Sequence, residues 1–267
     1  MKIGITFDEL LMKHISKEIY LEYIEKNQIK NIELCLHEKI LQKNVQKEIS
    51  LFCDSKKVNN SFHIPHHIDE FAYDLSNFKS EKKLITDNYM LFIKNMEEHL
   101  QYNPQSIQKI VIHGGSFKES KSHAMENSKH FIDWFINMTI AKGFNIRLLI
   151  ETLSPVENSL GNNFEDLINL KDFFNSIHLD ICGDIGHLMR YDNFNKLDIL
   201  DDISHFHIHG YNKTLDLNHI AMSKSDILAE EMIEHVSKDA VLIQEVLYFF
   251  AKYNYLDDLG IHKAFGV

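Results

Sequence analysis

Eight short runs rich in isoleucine, valine, leucine and phenylalanine recur along this chain, at about residues 2–7, 31–36, 60–65, 109–114, 147–152, 178–183, 204–209 and 240–246. Between them lie stretches such as EIYLEYIEKNQ, NVQKEISLFCDSKK, LITDNYMLFIKNMEEHL and MENSKHFIDWFINMTIAKG. Their apolar residues fall three and four positions apart, the spacing of amphipathic helices. Strand alternating with helix, with strands apolar on both faces, calls for a parallel sheet covered by helices. Eight such units in 267 residues is the count of a (β/α)8 barrel. The expectation is therefore an α/β fold, a TIM barrel forming a single domain over residues 1–267. An open doubly wound sheet is the competing arrangement. It would want a glycine-rich first turn, and GITFDEL is not one. Gly143 is placed to close the fourth helix. Residues 66–80 are the longest stretch without a helical pattern and so a candidate lid. Trp134 sits on an apolar helical stripe and reads as core.

Charge and cysteine content narrow the function. Lys+Arg is 28 against Asp+Glu 39, a net charge of −11, with no basic run longer than two residues. Nucleic-acid binders present a basic face, so a nucleic-acid partner is disfavoured. No apolar run nears the 18 residues of a membrane span. MKIGITFDELLMKH lacks the apolar core and small-residue cleavage site of a signal peptide. Three isolated cysteines, Cys35, Cys53 and Cys182, lack paired spacing and read as buried thiols in a reducing cytoplasm. Self-association is left open.

The strand ends carry the chemistry. They offer His63 (SFHIPHH), His113 (KIVIHGGSF), Glu151 (RLLIETLSP), Asp184 with His187 (CGDIGHL), His207 with His209 (HFHIHG) and Glu245 (VLIQEV), and His219 follows in a loop (LDLNHIAM). A parallel barrel gathers the C-terminal ends of its strands on one rim, so these groups would meet. Imidazoles and carboxylates without thiolates suit Zn²⁺, Mn²⁺, Fe²⁺ or Co²⁺, and one to three ions, zinc or manganese first, are expected. A carboxylate ending an apolar strand is costly unless a cation or proton compensates it. His207 and His209 are two apart and face one side of their strand. His207 is the favoured ligand, and His209 is assigned to substrate. Gly114, Gly115 and Ser116 could open backbone N–H groups toward an anion. His63, His113 and His219 read either as ligands or as ordinary hydrogen-bonded or solvated histidines. His14, His37, His99, His123, His130, His235 and His262 sit in polar contexts and read as solvated.

On these residues the whole chain resembles the xylose-isomerase-like barrels and the family-2 apurinic endonucleases of the endonuclease IV type. The endonuclease pattern implies metal ligands at His63, His113, Glu151, Asp184, His187, His207, His219 and Glu245. It also expects an acidic residue beside His219, where this chain has Asn218, with Asp216 as a substitute. Within the superfamily, IELCLHE, FHIPHH, LDICGDIGHL, HIHGYN with NHIAM, and VLIQEVL resemble the cobamide-remodelling phosphodiesterases.

Two activities compete. A metal-dependent hydrolase would cleave a small phosphodiester, and the resemblance makes that the nucleotide loop of a corrinoid. It needs no protein nucleophile, and no G-x-S-x-G is present. A sugar isomerase or epimerase would need one ion on Glu151, Asp184, His207 and Glu245. The two glutamates would then act as base and acid while His187 holds substrate. The pair His63 and His113 favours the hydrolase, with Glu151, Glu245 and His187 at the reacting centre. A repair endonuclease ranks third because of the negative charge.

Overall fold

The computed structural model describes residues 2–7, 16–35, 43–64, 73–191, 194, 197–213, 217–220 and 227–245. Eight strands run parallel and close into a barrel: β1 (Lys2–Phe7), β2 (Asn31–Cys35), β3 (Asn59–His63), β4 (Gln108–Ile112), β5 (Ile146–Glu151), β6 (Leu179–Asp184), β7 (His205–Ile208) and β10 (Val241–Gln244), with β10 between β7 and β1. Each falls within two residues of its predicted position. Helices α1 (Lys17–Lys26), α2 (Lys43–Lys56), α3 (Lys82–Leu100), α4 (Lys121–Ala141), α5 (Phe164–Phe174), α6 (Ile185–Leu188) and α7 (Ile227–Glu234) lie between strands. No described helix is long and apolar enough to cross a membrane.

One element was not foreseen. Gly210–Asn212 (β8) and Leu217–Ile220 (β9) pair antiparallel between β7 and β10, so His219 belongs to a short ribbon and not to a loop. Two runs of three and four residues are too short to leave a periodic signal.

The strands bury both faces against different partners. Ile146, Leu148 and Ile150 of β5, Ile110 and Ile112 of β4, and Phe206 and Ile208 of β7 join the large core that the helices cover. Inside the barrel, Val111, Leu149 and Cys182 form a small separate cluster. On β5 the alternate residues Leu149 and Glu151 therefore point inward, apolar below and acidic at the rim. The outer core is dense in aromatics: Phe131 and Phe135 of α4 stack at 5.5 Å, and Tyr89 of α3 meets Phe131 at 4.5 Å. Each such ring contributes roughly 1.5–3 kcal/mol by burial. Trp134 packs against this core from its edge.

Local signals fix the helix ends. The Ser120 hydroxyl accepts from the His123 N–H at 3.1 Å, and Asn163 accepts from Glu165 N–H at 3.1 Å, capping α4 and α5. Gly143 follows α4 with φ +85°, as a closing glycine should.

Two expectations need correction. His99 is fully buried, not solvated: it lies on α3 between α2 and β3, where Ser50 and Asn60 take its ring nitrogens at 2.6 and 2.8 Å. His123, by contrast, is partly exposed and His130 and His235 are exposed, while His14, His37 and His262 lie outside the described residues. Cys35 is only half-buried; Cys53 and Cys182 are buried, which pushes their thiols up to about 12. In the candidate lid, residues 66–72 lie outside the described residues, and Leu75–Asn77 forms a 3-10 turn capped by Asp74.

Candidate metal centre

The parallel register brings the inward rim positions to one level. Asp184 of β6 pairs with His207 of β7, and Ile243 of β10 also pairs with His207, which puts Glu245 one inward step above. Glu151, Asp184, His207 and Glu245 thus offer four ligand atoms all within 4.8 Å of one another. All four side chains are buried or nearly so.

Two further sets flank this quartet. His63 and His113 point their Nε2 atoms at Glu151 Oε2, at 3.1 and 3.2 Å. The other oxygen of that carboxylate, Oε1, lies 3.4 Å from His207 Nδ1 and 3.7 Å from His187 Nδ1. On the opposite side His187, His209 and His219 converge, with His209 Nε2 3.1 Å from Asp184 Oδ1 and the His209 and His219 rings stacked at 4.0 Å. Gly186 permits this, because a Cβ there would stand 2.0 Å from the His209 ring. His219 holds a left-handed backbone, φ 52°, which costs a non-glycine residue about 1–3 kcal/mol. Its N–H donates to His209 Nδ1 at 3.1 Å. Every candidate ligand named from the sequence therefore lies in one cluster. Asp216 lies outside the described residues, as does the side chain of Asn218.

Most of the rings have one nitrogen spent on a neighbour. His63 Nδ1–H donates to the Ile64 carbonyl at 2.7 Å and His187 Nδ1–H to the Thr152 carbonyl at 3.0 Å, which leaves Nε2 of each ring as the nitrogen that can bind a metal once its proton is lost. His207 is reversed. Its Nε2–H donates to Glu33 Oε1 at 2.7 Å, so Nδ1 faces the carboxylates. Among the described residues, His207 Nδ1, Asp184 Oδ2 and His209 Nε2 are sealed from solvent without a hydrogen-bond partner. Orphaned groups at this depth are costly. The 3.4 and 3.2 Å separations of His207 Nδ1 from Glu151 Oε1 and Glu245 Oε2, without hydrogen-bond alignment, match ligand atoms sharing one ion: at ~2.1 Å from a tetrahedral ion, ligand atoms stand ~3.4 Å apart. The residues fit a divalent cation.

Electrostatics agrees. Burial by itself would raise the Glu151 carboxyl, but the His207 and His113 imidazoles hold it well below the usual range. Glu245 is held down to about 2 against burial, chiefly by His207, and Asp184 is lowered against burial by His187 and His209. Burial opposes protonation of His63, yet the Glu151 carboxylate raises it to about 9. Among the described residues these carboxylates pair only with histidines. The cluster favours positive charge at its centre.

A cavity of ≈ 330 Å³ opens over the cluster, lined by Ile64, Tyr73, Asp74, Tyr89, His113, Gly114, Ser116, Glu151, Glu157, Ser159, His187, His219 and Glu245. Gly114 and Ser116 line it, while the Gly115 carbonyl accepts from Leu160 N–H at 2.9 Å. The anion that the Ser116 N–H meets is the Asp74 carboxylate, at 3.1 Å, and the Ser116 hydroxyl donates to the same group. The strand-end reasoning passed over Glu33, His205, Ser61, Asp74 and Glu157. Glu33 carried the same signal as Glu151, an acid inside an apolar strand, but it sits one layer below the rim. Asp74 and Glu157 lie in loops and had no pattern to betray them.

Residues 87–240 match the family described as xylose isomerase-like TIM barrel. No curated protein matches the sequence. Solved structures with the same fold include a D-tagatose 3-epimerase-like protein, at 17% identity and TM-score 0.69, covering 100% of this chain and 99% of that one. A 3-keto-D-glucoside 4-epimerase from E. coli matches at 17% identity and TM-score 0.67, covering 98% and 99%. An AP endonuclease of family 2 from Brucella melitensis matches at 12% identity and TM-score 0.63, covering 94% and 98%. At such identities the likeness is one of fold.

Proposed function

The chain belongs to the xylose isomerase-like TIM barrel family, and from that premise we propose that it is a divalent-metal-dependent phosphodiesterase acting on a small phosphodiester. One observation carries the reading. The two oxygens of Glu151 face different ligand sets, Oε2 toward His63 and His113 and Oε1 toward His207 of the quartet. A carboxylate so shared suits adjacent ions, whereas an isomerase that works with one ion would leave the outer pair as polar wall.

Divalent ions in such a site polarise a phosphoryl oxygen and make water a nucleophile at neutral pH. The chain supplies the rest. Glu151, Asp184, His207 and Glu245 would hold the central position, His63 and His113 with Glu151 a second, and His187 with His209 or His219 a third. The Ile64 and Thr152 carbonyls fix the His63 and His187 tautomers. Gly114 and Ser116 shape the wall across which the ester would lie, and His209 and Glu245 flank it. The resemblance of HIHGYN with NHIAM and of the neighbouring motifs to the cobamide-remodelling phosphodiesterases makes a corrinoid the first substrate to test. The net charge of −11 opposes duplex DNA.

A second reading, a sugar epimerase, is favoured by the quartet, which suffices for one ion, and by the epimerases among the structural neighbours. Metal content separates the two. Two or three equivalents of zinc or manganese per chain, with release of a nucleoside-type fragment from a cobamide, support the proposal. One equivalent with interconversion of a ketose and an inert cobamide replaces it with the epimerase.

A further inference from the structure

Beneath the rim lies a polar layer that meets the ligand sets at His207: Glu33 groups there with His63 and His207, and Cys182 with His205 and His207. Glu33 of β2 is 1% exposed, and its carboxylate meets three side chains from two other strands. Ser61 donates to Oε2 at 2.8 Å, the His205 ring meets Oε2 at 2.9 Å, and the His207 ring meets Oε1 at 2.7 Å through Nε2. A carboxylate can only accept, so His207 must carry its proton on Nε2. In the neutral ring Nδ1 then keeps a lone pair, and this atom is buried, lacks a hydrogen-bond partner and stands 3.2–3.4 Å from Glu245 and Glu151 oxygens.

We infer that Glu33 is a positioning residue: it sets the tautomer of His207 and thereby turns Nδ1 into a ligand of the central ion. The inference rests on the metal reading above. Without Glu33 the local balance reverses. The acceptors left around His207 would be the carboxylates on its Nδ1 side, and the proton would move there to donate to them. A protonated Nδ1 cannot bind a cation. His63 and His187 have backbone carbonyls for this purpose, whereas His207 depends on a side chain, so a single substitution can test it.

The experiment uses the full chain with Glu33→Met and Glu33→Gln. Long-range ¹H–¹⁵N NMR on the metal-free protein, at a pH high enough for the His207 ring to be neutral, reads the tautomer, and equilibrium dialysis with Zn²⁺ or Mn²⁺ alone reads stoichiometry and affinity. The wild type should carry its His207 proton on Nε2. Glu33→Met should move it to Nδ1 and weaken the central ion by about 10–100-fold, with the number of sites unchanged at saturation. Glu33→Gln keeps an acceptor oxygen, so it should retain the tautomer and lose less affinity; it also stands in if the Met variant fails to fold. An unmoved proton, or wild-type affinity in Glu33→Met, overturns the inference. Loss of a whole equivalent at saturation overturns it too, because Glu33 would then be a ligand. A wild type that binds no metal sinks the metal reading instead, and the NMR result alone then decides whether Glu33 sets the tautomer.

Discussion

His99 and His207 are both fully sealed from solvent, and both have a ring nitrogen in a short hydrogen bond, yet they sit in opposite kinds of region. His99 lies outside the barrel among α2, α3 and β3. Neutral partners engage both of its nitrogens, Ser50 at 2.6 Å and Asn60 at 2.8 Å, and the Phe62 ring meets it edge-on at 5.6 Å. Burial there lowers it to about 4, and it stays neutral. His207 lies inside the rim. Burial opposes its charge as well, but Cys182 and then the Glu33, Glu151 and Glu245 carboxylates raise it well above the ordinary value, and its Nδ1 has no hydrogen-bond partner. The difference teaches that burial does not mark a site. A buried ring nitrogen left without a hydrogen bond among carboxylates does.

The largest effect should come from Glu151→Gln, which removes the carboxylate common to two ligand sets. Activity should fall on the order of 10³-fold, because polarisation by the ions is worth several kcal/mol. Bound metal should drop while circular dichroism stays unchanged. Full occupancy in the variant would mean that the rim histidines and carboxylates do not act as one cluster.

His113→Ala sharpens the contrast between hydrolase and epimerase. It should cost one metal equivalent and reduce phosphodiester cleavage by about 10²-fold. A variant that keeps its metal complement and its turnover would make His113 a wall residue.

His99→Ala should do the reverse of both: leave metal content intact and reduce stability by about 3 kcal/mol, through the cavity and the stranded Ser50 and Asn60 groups. The sign of its pH dependence follows from the depressed basicity. The unfolded chain takes up the His99 proton near 6.5 and the folded one only near 4. Its contribution is therefore complete above pH 6.5 and fades as pH falls toward 4, by up to about 3 kcal/mol. Urea unfolding of wild type and variant across that window measures it. Parallel stability curves would refute the neutral, hydrogen-bonded His99.

The smallest effect lies far from both histidines. Gly143→Ala meets no atom within 4 Å, so only its φ of +85° resists the substitution, at about 1 kcal/mol. A variant as stable as the wild type would show that the α4 terminus relaxes.

The sequence by itself determined the barrel and the membership of its rim. Eight apolar runs at regular spacing placed the strands, because a buried parallel strand must be apolar along its length and a helix must show its stripe. Glu151, Asp184 and Glu245 were legible because a carboxylate ending such a run is costly without a cation or proton, whereas His63 and His113 kept an ordinary hydrogen-bonded reading beside the ligand one. Tertiary structure alone decided the rest. His99 looked like any histidine on a polar helix, since a hydrogen bond from Asn60 of β3 leaves no trace within α3. Glu33 could not be ranked above other acids until the strand stagger set it beneath His207. His219 and His209 became stacked partners only once β8 and β9 folded over the rim, and the oxygens of Glu151 acquired separate partners only when four other strands closed around them. Periodicity reports which face of an element is covered; it does not report which atoms of distant strands meet there, and that meeting is where tautomer, charge and ligand geometry are fixed.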